Sequence, residues 1–244
     1  MIDAGRASSL GDALESAFAR WSGETCLVEA DRDRENARLT YAELAERARC
    51  LDAFLRARGF AAGGRAAIVM TNQSKWHIAA CAIFRAGGVL VPLDCKLEAA
   101  EHLRLVAHCR AQVLVVEHFL WSAMSRAEGF EGLGAGLVVV TEAPRDRGIP
   151  PAPGADVVRW EDTAATTPEA APPAPRSRND VACIVYSSGT GGRPKGCLLT
   201  HGNYLAQLES LTALHPMRPG VRYLSILPTN HAIDFMVGFL GPYL

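Results

Sequence analysis

Short, continuous apolar runs separated by helix-length amphipathic stretches restrict this chain to a narrow set of folds. Arg65 to Met70, Val89 to Val91, Val113 to Glu117 and Leu137 to Val140 read as strands. Their hydrophobicity is unbroken rather than alternating, which marks strands covered on both faces. Between them, Ser74 is expected to cap a helix through Trp76, Ala80, Ile83 and Phe84 that ends at Gly87-Gly88. Further helices are expected near Leu97 to His108 and near Phe119. Strands joined by helices of this length pair in parallel through right-handed crossovers. The expected class is therefore α/β, with parallel-rich sheets covered by helices. Upstream, Leu10, Leu14, Ala17, Phe18 and Trp21 share one helical face, and Thr25 to Glu29 reads as a short strand. Thr40-Tyr41-Ala42-Glu43 has capping-box spacing and opens a helix with Leu44, Ala48, Leu51 and Leu55 inward, stopped at Gly59. Tyr41, in its first turn, is expected to pack.

The pattern breaks from Ala143 to Asn179, where eight of the fourteen prolines lie, and a loop or exposed connection is expected there, with Trp160 as its attachment to the body. This divides the chain into an α/β subdomain (1–142), a proline-rich connection (143–179) and a segment of different character (180–244). The length suffices for a sizeable core. A net charge of −1 and the absence of a basic stripe with interleaved aromatics argue against a nucleic-acid partner. No apolar run reaches membrane-spanning length. The N-terminus is too polar for a secretory signal. Seven cysteines, odd in number and without C-x-x-C spacing, read as reduced and mostly buried in a cytoplasmic chain. Cys197 is expected to be a buried thiol, and no metal site is expected.

The chemistry concentrates in the last segment. The apolar run Val181 to Tyr186 feeds Ser187-Ser188-Gly189-Thr190-Gly191-Gly192-Arg193-Pro194-Lys195-Gly196, after which a helix is expected. Glycines let backbone approach an anion, hydroxyls and N–H groups donate to its oxygens, and a lysine offsets its charge. Such a loop suits polyphosphate. The Walker pattern G-x-x-x-x-G-K-[ST] fails on spacing: Lys195 follows Pro194, and Gly196 stands where a hydroxyl residue belongs.

Tyr186 to Gly196 resembles the signature of the adenylate-forming superfamily, roughly Y-[ST]-S-G-[ST]-T-G-x-P-K-G. One departure is Gly191, which replaces the second Thr and removes one phosphate-facing hydroxyl. Leu39-Thr40-Tyr41-Ala42-Glu43-Leu44, Ala67 to Asn72, and Gly87 to Asp94 are similar to earlier segments of that family. The resemblance thus spans about Leu10 to Leu244. It implies ATP with Mg2+, a carboxylic acid, and coenzyme A or a carrier-protein thiol as acceptor. It also implies phosphate contacts from Ser187, Ser188, Gly189, Thr190, Gly191, Gly192 and Lys195, with fatty-acid metabolism as a context.

A second segment, Leu224 to Asp234, reads as a strand ending at Pro228, a turn, and a helix from about His231. It resembles the family's LPxxHxxG segment, which lines the acid pocket, and so implies that His231 contacts the carboxylate or gates the pocket. A capping or packing role is the alternative. The helix N-terminus is expected to suit a carboxylate or reacting phosphate. Amino-acid-activating relatives hold the α-amino group with an Asp near this place. Here the nearest acid is Asp234, so a plain acyl or aryl acid is the better expectation. The apolar face of Ile233, Phe235, Met236, Val237, Phe239 and Leu240 fits either a hydrophobic pocket or core packing. Thr200-His201-Gly202-Asn203 reads as helix-entry chemistry that positions the loop, with no direct catalytic part.

In full-length members the adenine-binding segment, the metal-binding Glu, the ribose-binding Asp and the C-terminal domain with its catalytic Lys lie beyond the point matching Leu244. The apolar tail, with no following partner, points the same way. The expectation is an incomplete N-terminal large domain, inactive alone. A relic that binds no nucleotide, an interaction subunit, and half of a split enzyme are the other readings.

Overall fold

The computed structural model describes residues 5–31, 34–167, 171–187, 194–214 and 220–244. Its centre is a seven-stranded sheet formed by β3 (Arg65–Val69), β4 (Val89–Pro92), β5 (Val113–Glu117), β6 (Leu137–Thr141), β7 (Asp156–Arg159), β8 (Val181–Ser187) and β9 (Lys195–Thr200). The order across the sheet is β7-β6-β5-β3-β4-β8-β9. Every pairing is parallel except β8 with β9. A separate antiparallel pair joins β1 (Thr25–Asp31) to β2 (Arg34–Thr40).

The pleat explains why the apolar runs are unbroken. Ala66 and Ile68 face one core while Ala67 and Val69 face another, and Val113 and Val115 alternate with Leu114 and Val116 in the same way. The first face is covered by α1 (Leu10–Arg20), α2 (Tyr41–Ala57) and α3 (Ser74–Arg85), and the second by α4 (Ala99–His108) and α5 (His118–Met124). α2 opens with the expected reciprocal cap. Thr40 Oγ1 accepts from the Glu43 N–H at 3.2 Å, and Glu43 Oε2 accepts from the Thr40 N–H at 2.8 Å. The helix ends before Gly59, whose φ of +84° suits a residue without Cβ. Tyr41 packs, and its hydroxyl donates to the Pro242 carbonyl at 3.0 Å. Among the described residues no helix is long and apolar enough to cross a membrane.

Several expectations are corrected. Ser74 is the first residue of α3 rather than its cap; Gln73 precedes the helix without a side-chain capping bond, and the Ser74 N–H is met by Glu29 Oε2 at 2.7 Å. The proline-rich stretch carries β7, added parallel to β6, and the short α6 (Trp160–Thr163), with Trp160 packed on the first core. A strand, β9, intervenes before α7 (His201–Leu214) where a helix was expected directly. Residues 224–228 form no ladder: Leu224 and Ile226 are exposed, at 80% and 77%, and no described strand pairs with them. The apolar tail is not bare. Phe235, Phe239, Leu240 and Tyr243 are buried, with the Phe239 ring centroid 5.3 Å from those of Trp76 and His77. Core packing therefore claims most of this face, while Ile233 stays exposed. Cys197 lies exposed on β9, not buried.

Candidate functional site

Chain direction gathers the chemistry at one edge. β3 runs to β4 on one side, and the chain then crosses to β5 on the other, so the sheet has its topological switch beside the carboxyl end of β3. Open α/β sheets bind ligands in the crevice outside such strand ends. β8 is parallel to β4, so Ser187 lies at this edge; β9 returns antiparallel, so its first residue, Lys195, lies there too.

Ser187 and Lys195 are cross-strand partners that close the two ends of the loop. Both are exposed, and no ion pair involves Lys195 among the described residues. Ser188, Gly189, Thr190, Gly191 and Gly192 lie outside the described residues. The stem below is tightly built. Tyr186 faces His108 at the end of α4, with its hydroxyl 2.6 Å from Nδ1, and burial pushes its pKa up to about 12. Across the ladder from Tyr186 stands Gly196, where an added Cβ would come within 3.0 Å of Ile184 Cγ2. Strand packing therefore favours a residue without Cβ after the lysine, a reason the anion argument does not supply.

His201 and Asn203 sit at the opposite edge, one strand length from the loop. Asn203 Oδ1 accepts from the Thr200 N–H at 2.9 Å, and its own N–H returns to Thr200 Oγ1 at 3.2 Å, which starts α7. His201 is buried and its Nδ1 accepts from the Leu10 N–H at 3.2 Å. His201 thus ties α7 to α1, while Asn203 caps α7.

His231 is the N-cap of α8 (Ala232–Asp234), with Nδ1 accepting from the Ile233 N–H at 3.3 Å. The residue is exposed, and with Nδ1 accepting, Nε2 is the ring nitrogen left to donate. Three residues later the helix widens into a π turn, Phe235–Leu240, before α9 (Gly241–Tyr243). The helical backbone runs on without a break from Ala232 to Tyr243, so the imidazole stands beside the N-terminus of a continuous helix. Asp234 is fully buried, accepting from Ser225 Oγ at 2.8 Å and from the Tyr223 hydroxyl at 3.2 Å. Gly238 lies so close that a Cβ there would stand 2.5 Å from Asp234 Oδ1.

One residue escaped the sequence reading. Asn72, just past β3, accepts at Oδ1 from the Thr229 N–H and hydroxyl at 2.9 and 3.0 Å, and donates through Nδ2 to the Leu227 carbonyl at 2.6 Å and Ser225 Oγ at 3.2 Å. It thereby holds the His231 segment at the switch-point edge. Its place after a buried strand was the available signal. Its partners lie more than 150 positions away, where no local pattern reaches.

The sequence model of the AMP-binding enzyme family matches residues 14–244. A methyl-dioxo-octahydro-indenyl propanoyl:CoA ligase of Rhodococcus jostii is 30% identical over 91% of this chain and 43% of its own length. A chloroplastic long-chain-fatty-acid–[acyl-carrier-protein] ligase of Arabidopsis thaliana is 27% identical over 91% of this chain and 32% of its own. Among solved structures, the anthranilate CoA ligase AuaEII in complex with anthranoyl-AMP superposes with a TM-score of 0.83 at 21% identity, over 100% of this chain and 45% of the ligase. The chain spans less than half the length of these relatives.

Proposed function

The chain belongs to the AMP-binding enzyme family, and from that premise we propose that it supplies the triphosphate-holding and acid-facing part of an ATP-dependent carboxylic acid ligase. In the first step a carboxylate oxygen bonds to the α-phosphorus of ATP, and the bond to the bridging oxygen breaks. Acyl-AMP forms and pyrophosphate leaves with that electron pair. In the second step a thiol, of coenzyme A or a carrier protein, attacks the acyl carbon; AMP departs and the thiol proton is lost to solvent. Lys195, with the loop from Ser187 to Gly192, holds the β- and γ-phosphates so that pyrophosphate leaves in line, a matter of positioning and charge. His231 presents Nε2–H toward the acid. Mg2+ enters with the triphosphate. Among the described residues no group of three or more His, Cys, Asp or Glu side chains is placed to hold it, and bound with the triphosphate it would supply further charge neutralisation.

The observation that carries this reading is the β8–β9 hairpin. It sets a lysine that forms no ion pair among the described residues against Ser187 at the carboxyl edge, at the base of a polyphosphate-type loop. The substrate class follows from Asp234. Its carboxylate is buried and occupied by two hydroxyls, so it is not free to receive an ammonium group. An acyl or aryl acid without an α-amine is the proposed substrate.

Titration with Mg·ATP tests the reading. A ligand bound only by the folded state, at 100 times its Kd, adds about 2.7 kcal/mol. For a chain of this size, that is an upward shift in Tm of roughly 5–10 °C. Lys195→Ala should abolish the shift while leaving the unliganded midpoint unchanged. A folded protein with no shift at millimolar Mg·ATP would instead favour a member that binds no nucleotide.

A further inference from the structure

We infer that Asn72 is a positioning residue that fixes the acid-facing turn before His231. The inference rests on the ligase reading above and assigns the residue that sets the geometry of that site. A primary amide has two N–H donors and a carbonyl acceptor with two lone pairs. Asn72 commits all of them to the segment from Ser225 to Thr229. Its own position is braced on both sides, because Glu117 Oε2, at the end of β5, accepts from the Thr71 N–H at 3.0 Å, the Thr71 hydroxyl at 2.8 Å and Gln73 Nε2 at 3.2 Å. Ser225 Oγ carries the connection onward to buried Asp234. His231 is thus held from both sides: the Pro228 carbonyl accepts from its N–H at 2.8 Å within the turn that Asn72 grips, and Asp234 anchors the helix it caps.

Asn72 is itself solvent-facing and lies outside both cores, so its truncation leaves the fold intact. What truncation removes is the alignment of the turn, and a displacement on the order of 1 Å at a reacting group costs on the order of 100-fold in rate. Asn72→Ala should lower kcat/KM for the carboxylic acid in pyrophosphate release by about that factor, with KM for Mg·ATP and Tm both unchanged. Asn72→Asp keeps the acceptor but sets a carboxylate against the Leu227 carbonyl and should not rescue. Ser225→Ala spares the bonds to Leu227 and Thr229 and should cost less. In parallel, amide hydrogen exchange should show lost protection in Asn72→Ala confined to residues 223–231.

Unchanged acid kinetics and unchanged exchange in Asn72→Ala would overturn the inference. So would a fall in Tm with KM for acid and nucleotide rising together, which marks a general structural role. If the wild-type chain binds no Mg·ATP, the ligase reading fails separately. The exchange pattern and the NMR resonance of the His231 ring then decide: a local change in both upholds the anchor, and none in either refutes it.

Discussion

Lys195 and Gly196 are neighbours in sequence with opposite duties. The lysine is exposed and forms no ion pair among the described residues, so its replacement is expected to show in ligand binding. The glycine fits the ladder closely, since a Cβ there would stand 3.0 Å from Ile184 Cγ2. Gly196→Val should therefore lower the urea midpoint, by the equivalent of about 1–3 kcal/mol, because a branched side chain forces β9 away from β8. The place of Lys195 at the base of the loop was legible in the sequence, since spacing carries it locally, while its anion-facing role belongs to the proposed function. The reason for the glycine was not, because it depends on a strand pairing that only the tertiary fold supplies. Asn72 was hidden for the same reason. Its four bonds are all long-range, and an Asn after a strand otherwise reads as turn chemistry.

At the scale of elements, the helices of the first face are joined by a buried charge network. Arg85, 5% exposed at the end of α3, bonds Glu15 of α1, Asp52 of α2 and the Ala171 carbonyl. Asp52 also takes Arg56 at 2.5 Å, and Glu15 takes Arg49 at 2.7 Å. Removing one partner of a buried pair leaves the other charge uncompensated. Because Asp52 keeps Arg56 and Glu15 keeps Arg49, Arg85→Ala should cost less than a full orphaned charge, about 1.5–3 kcal/mol, read as a fall in denaturant midpoint without loss of helical signal.

The central strands and α2 were legible because burial on both faces and a reciprocal cap leave local signatures. β2 was not: its residues are largely exposed and polar, so no period marks it. β7 is four residues inside a proline-rich stretch, too short to register. β9 was obscured by the helix-entry pattern that follows it. At 224–228 the expected strand does not form: Leu224 and Ile226 are exposed, Ser225 bonds Asp234, and no described strand offers a partner edge. Leu224→Lys with Ile226→Lys should leave Tm unchanged and lower binding of an apolar dye, because exposed positions lose little on becoming charged.

Across the whole molecule, stability is coupled to pH through buried imidazoles, His102, whose pKa burial also lowers, and two others. His77 bonds the Tyr243 hydroxyl at 3.1 Å, and His201 accepts from Leu10; burial lowers each pKa from 6.5 to about 4. Between those values the unfolded chain binds the extra protons. Stability is thus fully present above about pH 6.5 and falls as pH drops toward about 4, by at most about 1.4 kcal/mol per unit for each histidine. Thermal midpoints taken across pH 7 to 4 should decline accordingly, and His77→Gln should flatten part of the slope.

Both histidines clamp peripheral helices onto the sheet whose carboxyl edge carries the site, so architecture and chemistry separate cleanly. The architecture follows from burial and parallel crossovers; the function rests on what the β8–β9 turn holds. A crystal structure with Mg2+ and a non-hydrolysable ATP analogue addresses that directly. The account predicts β- or γ-phosphate oxygens within hydrogen-bond reach of Lys195 Nζ, with the α-phosphate toward His231. A nucleotide bound elsewhere, or Lys195 turned away from any phosphate, would contradict it.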